Sequence, residues 1–274
     1  MKVIILKLGG SIITNKRNEN SIKWDTLRRL GEEIRKAYTH ISTDARLIIV
    51  HGGGSFGHPL AIKYKKTKGR YDSEAFITIR ENMNTLASIV SLLYINLGLP
   101  ITHFQSSSLF LLDNGRIVKA YIEPIENSLR KNIIPLLYGD IAIDLTRGFE
   151  ILSGDSIVAF LANYFNTIKV LYATDVSGIY SEDPKINSTA KRIEKILILK
   201  NRRSGEYKIS LEFKDRTRLS ADVTGGIYRK LLDLAQYSSK SITAYIFNGL
   251  IEGNVFKAIM DKPKEYTLVE VKVL

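Results

Sequence analysis

Residues 2–11 read KVIILKLGGS, and residues 46–58 read RLIIVHGGGSFGH. In each stretch a run of mainly aliphatic residues leads almost directly into consecutive glycines. An apolar run of this kind is typical of a strand that is buried on both faces of a parallel sheet. Glycines after such a strand permit a tight turn in which backbone N–H groups approach a ligand. The two stretches therefore predict an open parallel sheet with a ligand site beyond the carboxyl ends of its strands.

Outward from these two stretches, short β-branched runs alternate with segments of helical period. Further strands are predicted at 100–104, 133–138, 141–145, 168–173, 242–247 and 266–273, and helices at 21–40, 73–97, 156–165, 227–237 and 252–260. The alternation predicts an α/β fold, a three-layer sandwich around a central, mostly parallel sheet. No Pro/Gly/Ser-rich linker divides the chain. We therefore expect one domain over 1–274, in which an N-terminal lobe (1–166) and a C-terminal lobe (167–274) share one continuous sheet.

The composition excludes several classes of protein. The chain has 274 residues, of which 45% are hydrophobic and 25% charged, as in ordinary globular proteins and unlike disordered, collagen-like or coiled-coil chains. It has no cysteine, which excludes a disulfide framework, Cys-ligated zinc, iron–sulfur clusters and a thiol nucleophile. The four histidines are scattered. We therefore predict no metal site built from side chains.

No segment has the pattern of a targeting signal or a membrane span. Four apolar residues lie between Lys2 and Lys7, whereas a signal peptide has an apolar region of ~7–15 residues. The longest apolar run, 89–101, is interrupted by polar residues, glycine and proline, and a membrane span needs ~20 apolar residues. We expect a soluble, cytoplasmic protein with no membrane partner.

The formal charge of +12, from 40 Lys and Arg against 28 Asp and Glu, raises the question of an anionic partner. Positive charge is concentrated at 63–70 (KYKKTKGR) and 200–208 (KNRRSGEYK). Neither segment has the aromatic interleaving of a base-stacking platform for nucleic acid. The alternatives are a solvated lysine-rich surface and a field that attracts phosphorylated small molecules. We favour a mixture of these two, with no nucleic-acid partner.

Four glycine-containing turns follow a predicted strand or precede a predicted helix: 7–11 (KLGGS), 51–58 (HGGGSFGH), 153–155 (SGD) and 222–226 (DVTGG). Backbone amides at such turns, together with a helix N-terminus, favour phosphate binding. Residues 52–57 also match G-x-G-x-x-G, but the pattern does not follow the first strand, as a dinucleotide fold requires. The P-loop pattern is absent. Four turns in one chain predict a polyphosphate site of another kind.

Lysines lie where phosphoryl transfer needs cationic groups. Lys7 ends the first strand, Lys16 follows its glycine turn, and Lys230 lies one helical turn beyond Gly226. A lysine within an apolar strand needs a partner or a ligand, and Asp155 is predicted to orient Lys7 and Lys230 without itself reacting. His58, at the end of its turn, is suited to donate a hydrogen bond to phosphate. A capping or exposed histidine is the alternative there.

The chain resembles the amino acid kinase superfamily and, more narrowly, the isopentenyl phosphate kinases of archaeal type. The resemblance is carried by KLGGSIITNK (7–16), HGGGSFGHP (51–59), SGD (153–155), TDVSGIYSEDP (174–184) and DVTGGIYRK (222–230), which together span nearly the whole chain. It implies an amino acid kinase-like fold, a homodimer, and transfer of the ATP γ-phosphoryl group to isopentenyl phosphate with Mg²⁺ in isoprenoid biosynthesis. No covalent enzyme intermediate is implied.

The resemblance also implies a role for individual residues. ATP-binding residues are Lys7, Gly9, Gly10, Gly54, Asp175, Gly226 and Lys230; acceptor-binding residues are Gly53, His58 and Gly154; catalytic residues are Lys16, which stabilises the transferring phosphoryl group, together with His58, Lys7 and Asp155. An apolar stripe on the helix at 73–97 (Phe76, Ile79, Met83 and Leu86) is either core or a wall for a five-carbon tail. Residues 200–218 match no motif and are predicted to form a hairpin near the nucleotide.

Other functions stay open at this point. A related kinase acting on fosfomycin, glutamate, acetylglutamate, carbamate or a nucleoside monophosphate shares much of the pattern, and the fosfomycin kinases share the histidine-containing turn. A non-catalytic nucleotide-binding module is expected to lack Lys16 or Asp155, and both are present. A nucleic-acid-binding protein is expected to bind with a steep salt dependence.

Overall fold

The structure is a computed structural model that describes residues 1–15, 18–41, 44–213, 218–220 and 226–274, with the backbone alone for 218–220 and 226–229. In chain order, its strands are β1 (Lys2–Leu8), β2 (Ala45–His51), β3 (Ile101–His103), β4 (Phe110–Asp113), β5 (Arg116–Ala120), β6 (Ile134–Tyr138), β7 (Asp140–Asp144), β8 (Gly148–Leu152), β9 (Thr167–Thr174), β10 (Ile179–Tyr180), β11 (Arg192–Lys200), β12 (Tyr207–Phe213), β13 (Arg218–Ser220), β14 (Ile242–Asn248) and β15 (Tyr266–Val273).

The helices connect these strands. They are α1 (Gly10–Ile13), α2 (Trp24–Tyr38), α3 (Gly54–Lys68), α4 (Ser73–Asn96), α5 (Ser106–Leu109), α6 (Glu123–Arg130), α7 (Gly154–Tyr164), α8 (Gly226–Tyr237) and α9 (Asn254–Met260).

One large sheet runs through both halves of the chain. Its main strand order is β13-β12-β11-β15-β14-β9-β1-β2-β6-β3. From β14 to β3 each strand pairs in parallel with its neighbour, whereas β14–β15 and β11–β12 are antiparallel. The central pairing of β1 with β9 joins the two halves of the chain. The predicted α/β sandwich with a mostly parallel, continuous sheet is confirmed.

Helices cover both faces of this sheet. One buried apolar cluster lies between the sheet and α6, α7 and α8, and a second lies between the sheet and α2, α4 and α9. Alternation along β1 sends Val3 and Ile5 into the first cluster, and Ile4 and Leu6 into the second. The same alternation turns Lys7 toward the α7 face. The strand therefore aims a lysine at the helix that carries Asp155.

A second, four-stranded sheet, with the order β5-β4-β7-β8, is a feature that the sequence did not predict. The predicted strand at 141–145 exists as β7, but it belongs to this sheet and not to the central one. Period-2 alternation identifies a strand but carries no information about which partner it pairs with. The helix α3 after the second glycine turn begins at Gly54 and runs to Lys68, with Pro59 inside it.

The remaining predicted strands and helices are confirmed within a few residues at their ends. The predicted hairpin at 200–218 is correct only in part: β11 and β12 form an antiparallel hairpin with a turn over 201–206, but its first strand precedes the predicted segment, and residues 214–217 lie outside the described residues. No helix in the described ranges is both long and apolar enough to cross a membrane.

Candidate active site

The carboxyl ends of the central parallel strands meet at one edge of the sheet, and most of them are followed by a glycine. After each strand the chain continues as Gly9-Gly10 (β1), Gly52-Gly53-Gly54 (β2), Gly139 (β6), Asp175 (β9) and Gly249 (β14). Because parallel strands end on the same side, these turns are neighbours in space. The predicted glycine turns at 7–11 and 51–58 are therefore neighbours at this edge, whereas residues 222–225 of the fourth predicted turn lie outside the described residues.

The first two turns are packed directly against each other. A Cβ atom added to Gly10 would lie 2.3 Å from the backbone nitrogen of Gly54, which is too close for any side chain. Gly54 has a φ of +49°, in the left-handed region that favours glycine. The buried Thr14 hydroxyl donates to the Gly10 carbonyl (2.8 Å) and accepts from the Ser55 N–H (3.0 Å). Glycine is needed here for close approach of two backbones.

A buried carboxylate holds two lysines at this edge. The Lys7 ammonium donates to Asp155 Oδ1 at 2.6 Å, and the Lys230 ammonium donates to Asp155 Oδ2 at 2.9 Å. Lys7 is only 6% exposed. The three residues come from β1, α7 and α8, so one residue of the C-terminal half meets two of the N-terminal half. The ion pairs that the sequence predicted are present.

The charge balance of this trio favours an anionic ligand. Two ammonium groups share one carboxylate, which leaves an excess of positive charge. Burial lowers the pKa of Lys7 to about 8, and Asp155 opposes that shift. Burial would raise the pKa of Asp155, but the charges of Lys7 and Lys230 hold it at about 2. At neutral pH Lys7 and Asp155 are therefore both mainly charged.

The N-terminus of α7 lies against Lys7. A Cβ atom on Gly154 would be 3.3 Å from Lys7 Cε and 3.3 Å from the His51 carbonyl oxygen. Ser153 caps the helix by accepting from the Ser156 N–H at 3.0 Å. The partial positive charge of the helix end thus adds to that of the lysine. Gly154 lies between the end of β2 and the side chain of Lys7, where an anion would meet both.

His58 is an exposed residue in the second turn of α3. The sequence predicted that it ends a turn, whereas the structure places it inside the helix that the turn begins. The start of α3 packs closely against Met83 of α4. A Cβ atom added to Gly53 would lie 3.2 Å from Met83 Sδ, and one added to Gly57 would lie 2.9 Å from it. Gly53 is the N-cap residue of α3. The acceptor roles of Gly53, His58 and Gly154 stay predictions.

The other predicted nucleotide residues lie along the same edge where the structure describes them. Asp175 directly follows β9 and accepts an ion pair from Lys185. Gly226 is the first residue of α8, the helix that carries Lys230. Gly9 follows β1, and a Cβ on it would be 2.9 Å from the Ala173 carbonyl oxygen. Lys16 lies outside the described residues, so its position is a prediction only.

Several polar residues beside these groups are not predicted by the sequence pattern. Thr14 bridges the two glycine turns, and Asp233 of α8 is a buried carboxylate that accepts from Ser156 Oγ at 3.1 Å. Asp233 is three residues after Lys230 and therefore on the same side of the helix. That spacing was the available signal. A single aspartate in a helix is too common for the spacing alone to indicate a site.

His51, the first residue of the second glycine turn, is fully buried and stacked on Tyr138, with ring centroids 5.4 Å apart. Its Nδ1 is 3.1 Å from the Gly52 carbonyl oxygen, and its Nε2 has no hydrogen-bond partner in the part of the chain that the structure describes. Burial lowers its pKa to about 4. His51 is therefore a neutral ring that packs between Tyr138 and the second glycine turn and helps to fix that turn.

The apolar stripe on α4 is mainly core. Ile79, Met83 and Leu86 are at most 1% exposed, so packing accounts for all three. Phe76 is partly exposed and stacks on Phe149 of the second sheet, with centroids 4.8 Å apart. Of the four, Phe76 alone is both accessible and close to a further aromatic ring. An apolar ligand wall would start there.

Within the described ranges, no group of three or more His, Asp or Glu side chains is placed to coordinate a metal ion. Mg²⁺ typically keeps several water ligands and binds through substrate phosphates and one or two carboxylates. The trio of Lys7, Asp155 and Lys230 fits the phosphate end of such a complex. The residues present therefore fit Mg²⁺ carried by a nucleotide better than Mg²⁺ held by the protein.

Comparisons with known proteins show which family the chain is similar to. The model of the amino acid kinase family matches residues 2–248. Isopentenyl phosphate kinase of Methanocaldococcus jannaschii is 36% identical over 264 residues, which cover 93% of this chain and 94% of that one. The same enzyme of Methanothermobacter thermautotrophicus is 32% identical over 280 residues, covering 98% and 100%. An X-ray structure of isopentenyl phosphate kinase superposes with a TM-score of 0.78 at 27% identity, covering 98% and 99%.

Proposed function

This chain belongs to the amino acid kinase family, and we propose that it transfers the γ-phosphoryl group of ATP to isopentenyl phosphate. A phosphate oxygen of the acceptor attacks the γ-phosphorus, the bond from that phosphorus to the β–γ bridging oxygen breaks, and the products are isopentenyl diphosphate and ADP. The observation that carries the proposal is the pair of lysines on one buried carboxylate at the glycine-lined edge.

The positive charge supplies what this reaction needs. Phosphoryl transfer depends on positioning and on cations that neutralise the phosphate oxygens, with little covalent chemistry for the protein. We assign Lys7, Gly9, Gly10, Gly54, Asp175, Gly226 and Lys230 to ATP. Asp155 holds the two lysines and does not react. Lys16 stabilises charge on the transferring group. Mg²⁺ enters with the ATP phosphates and supplies further neutralisation.

We place the acceptor on the other side of the same edge. Gly53 and Gly154 present backbone N–H groups near the end of β2, and His58 donates a ring N–H to the acceptor phosphate. A phosphate monoester is already ionised at neutral pH, so no general base is required. Phe76, stacked on Phe149, supplies an apolar wall for the five-carbon tail.

The apolar wall favours isopentenyl phosphate over the polar acceptors of related kinases. Glutamate and acetylglutamate carry a second charged carboxylate, which an aromatic wall does not stabilise. Fosfomycin is small and has no tail to cover Phe76 and Phe149. We also propose that the enzyme is a homodimer in the cytoplasm, where ATP is available.

The test is mass spectrometry of the products formed from ATP, Mg²⁺ and each acceptor in turn. Isopentenyl phosphate should give isopentenyl diphosphate and ADP, with a higher kcat/KM than fosfomycin, glutamate, acetylglutamate or a nucleoside monophosphate. A higher value for any of these would replace the proposed acceptor.

His58→Ala tests the acceptor side of the site. The KM for isopentenyl phosphate should rise about tenfold, as expected for loss of one hydrogen bond to a charged group, while the KM for ATP stays within twofold. His40→Ala is the matched control, because His40 is an exposed helix-end histidine bonded to the Lys36 carbonyl. An equal loss of ATP affinity in His58→Ala would remove the assignment.

A further inference from the structure

Among the side chains that the structure describes, two polar links join α7 to α8, and the trio of Lys7, Asp155 and Lys230 uses only one of them. The second link is Asp233 on α8, whose Oδ2 accepts from Ser156 Oγ at 3.1 Å and lies 3.5 Å from Ser153 Oγ. Ser153 and Ser156 stand on either side of Asp155 in the sequence, and Ser153 caps α7. The second link therefore holds the N-terminus of α7, where Gly154 and Asp155 lie, against α8.

The two links are close neighbours. Lys230 and Asp233 are three residues apart in α8, which places them on one side of the helix about one turn apart. The buried Tyr172 hydroxyl is close enough to both carboxylates to interact with their charges. Burial raises the pKa of Tyr172, and the charges of Asp155 and Asp233 raise it further. Tyr172 is also the register partner of Lys7 on the adjacent strand. Asp233 therefore lies beside the trio, close to Tyr172, and is not one of the groups that pair with Lys7.

A bound nucleotide would weaken the first link, because its phosphates compete with Asp155 for the Lys230 ammonium. The contacts of Asp233 with Ser156 and Ser153 are made through hydroxyl groups. A phosphate attracts a hydroxyl group less strongly than an ammonium group, so these contacts are less affected by that competition.

We propose that Asp233 is a positioning residue for nucleotide binding: by holding the α7 N-terminus through Ser156 and Ser153, it fixes α8 so that Lys230 stays directed at the phosphates. This inference rests on the proposed function of the site as a nucleotide site. Asp233 is only 9% exposed, and the hydroxyl groups of Ser156 and Ser153 donate hydrogen bonds to it.

The experiment measures MgADP binding by calorimetry and then steady-state kinetics with ATP and isopentenyl phosphate. Asp233→Ala should weaken MgADP binding about tenfold and lower kcat/KM for ATP by a similar factor, with the KM for isopentenyl phosphate within twofold of the wild type. Asp233→Asn keeps an oxygen that accepts from Ser156 and should stay within threefold. Ser156→Ala, which removes the donor, should act in the same direction as Asp233→Ala and serves if that variant does not fold.

Ser238→Ala is the matched control. Ser238 is a buried serine at the other end of α8, bonded to the Leu234 carbonyl, so its loss should lower the melting temperature without changing MgADP affinity. A merely structural role for Asp233 would give that same result for Asp233→Ala and Ser156→Ala and would overturn the proposal. So would Asp233→Asn being as damaging as Asp233→Ala.

The binding arm separates this inference from the proposed reaction. If the wild type binds MgADP but makes no isopentenyl diphosphate, the proposed acceptor is wrong while the Asp233 series still decides the inference. If the wild type turns over isopentenyl phosphate and Asp233→Ala binds MgADP normally, only the inference is wrong.

Discussion

Two buried carboxylates lie near the same edge of the central sheet, on opposite faces, and they are satisfied in different ways. Asp155 pairs with two lysines. Glu33, on α2, pairs with Arg29 and accepts from the N–H groups of Gly253, Val255 and Phe256 at the start of α9. Glu33 is thus balanced by one cation and saturated with donors, while Asp155 is outnumbered by cations.

The difference separates a structural site from a binding site. Arg29 also donates to the Gly249 carbonyl at 2.8 Å, so the Glu33 cluster fixes the turn between β14 and α9. Its single positive charge is balanced by the single negative charge of Glu33. The Asp155 cluster has an unbalanced positive charge that a phosphate can neutralise. Burial and ion pairing are common to both clusters, so neither feature alone indicates a ligand site. The excess of positive charge around Asp155 is the feature that favours an anionic ligand there.

The largest effect is expected from Lys7→Met. Removing the buried cation should lower kcat/KM for ATP by about 10²–10³-fold, in the range for loss of one preorganised electrostatic contact. The free energy of unfolding should change little, because the ammonium is costly to bury. Steady-state kinetics and thermal unfolding measure the two effects. Lys169→Met is the control: Lys169 lies on adjacent β9 and caps the end of α9, so it should lose stability and keep its kinetics.

Glu33→Ala should give the opposite result. It leaves Arg29 and three backbone donors without their acceptor, and the free energy of unfolding should fall by about 3 kcal/mol. The kcat and both KM values of the folded enzyme should stay within threefold. Urea denaturation measures the first quantity. A hundredfold loss of kcat in a fully folded variant would erase the distinction between the two carboxylates.

Thr14→Val probes a third buried polar group at this edge, one that carries no charge. Valine has a similar shape but neither donates to Gly10 nor accepts from Ser55, so we expect a loss of about 2 kcal/mol in the free energy of unfolding. Because the hydroxyl sets the spacing of the two glycine turns, kcat should fall severalfold as well. Ser91→Ala, a buried helical serine outside the site, provides the comparison for both measurements.

Lys7 also predicts a pH dependence, which is small near neutral pH and grows above it. Lys7 should lose its proton as the pH rises through about 8, so kcat/KM for ATP should fall above that value, toward tenfold per pH unit. The free energy of unfolding should instead increase as the pH rises. In the unfolded chain Lys7 keeps its proton up to its ordinary value of 10.5, so its contribution to the free energy of unfolding increases between about pH 8 and 10.5. Lys7→Arg, which stays protonated, should abolish the kinetic decline even if its rate is low.

The sequence was informative where a residue type conflicted with its surroundings. Lys7 in an apolar strand required a partner, and Asp155 at a helix start after a glycine was the natural one. The parallel strands and their order of alternation with helices also followed from periodicity. Asp233, Thr14 and Glu33 did not, because most of their contacts are with hydroxyl groups and with backbone N–H and carbonyl groups, which every segment contains. The second sheet was missed because strand pairing depends on contacts far apart in the chain.

The contact between Gly10 and Gly54 couples the two glycine turns mechanically. Each turn begins on its own strand, yet their backbones touch with no room for a methyl group between them. Under the proposed roles the first turn binds ATP, and the second carries both Gly53 for the acceptor and Gly54 for ATP. A substitution that moves the second turn to fit another acceptor must therefore also move the first, so redesign of the acceptor site should start at Phe76 and Phe149.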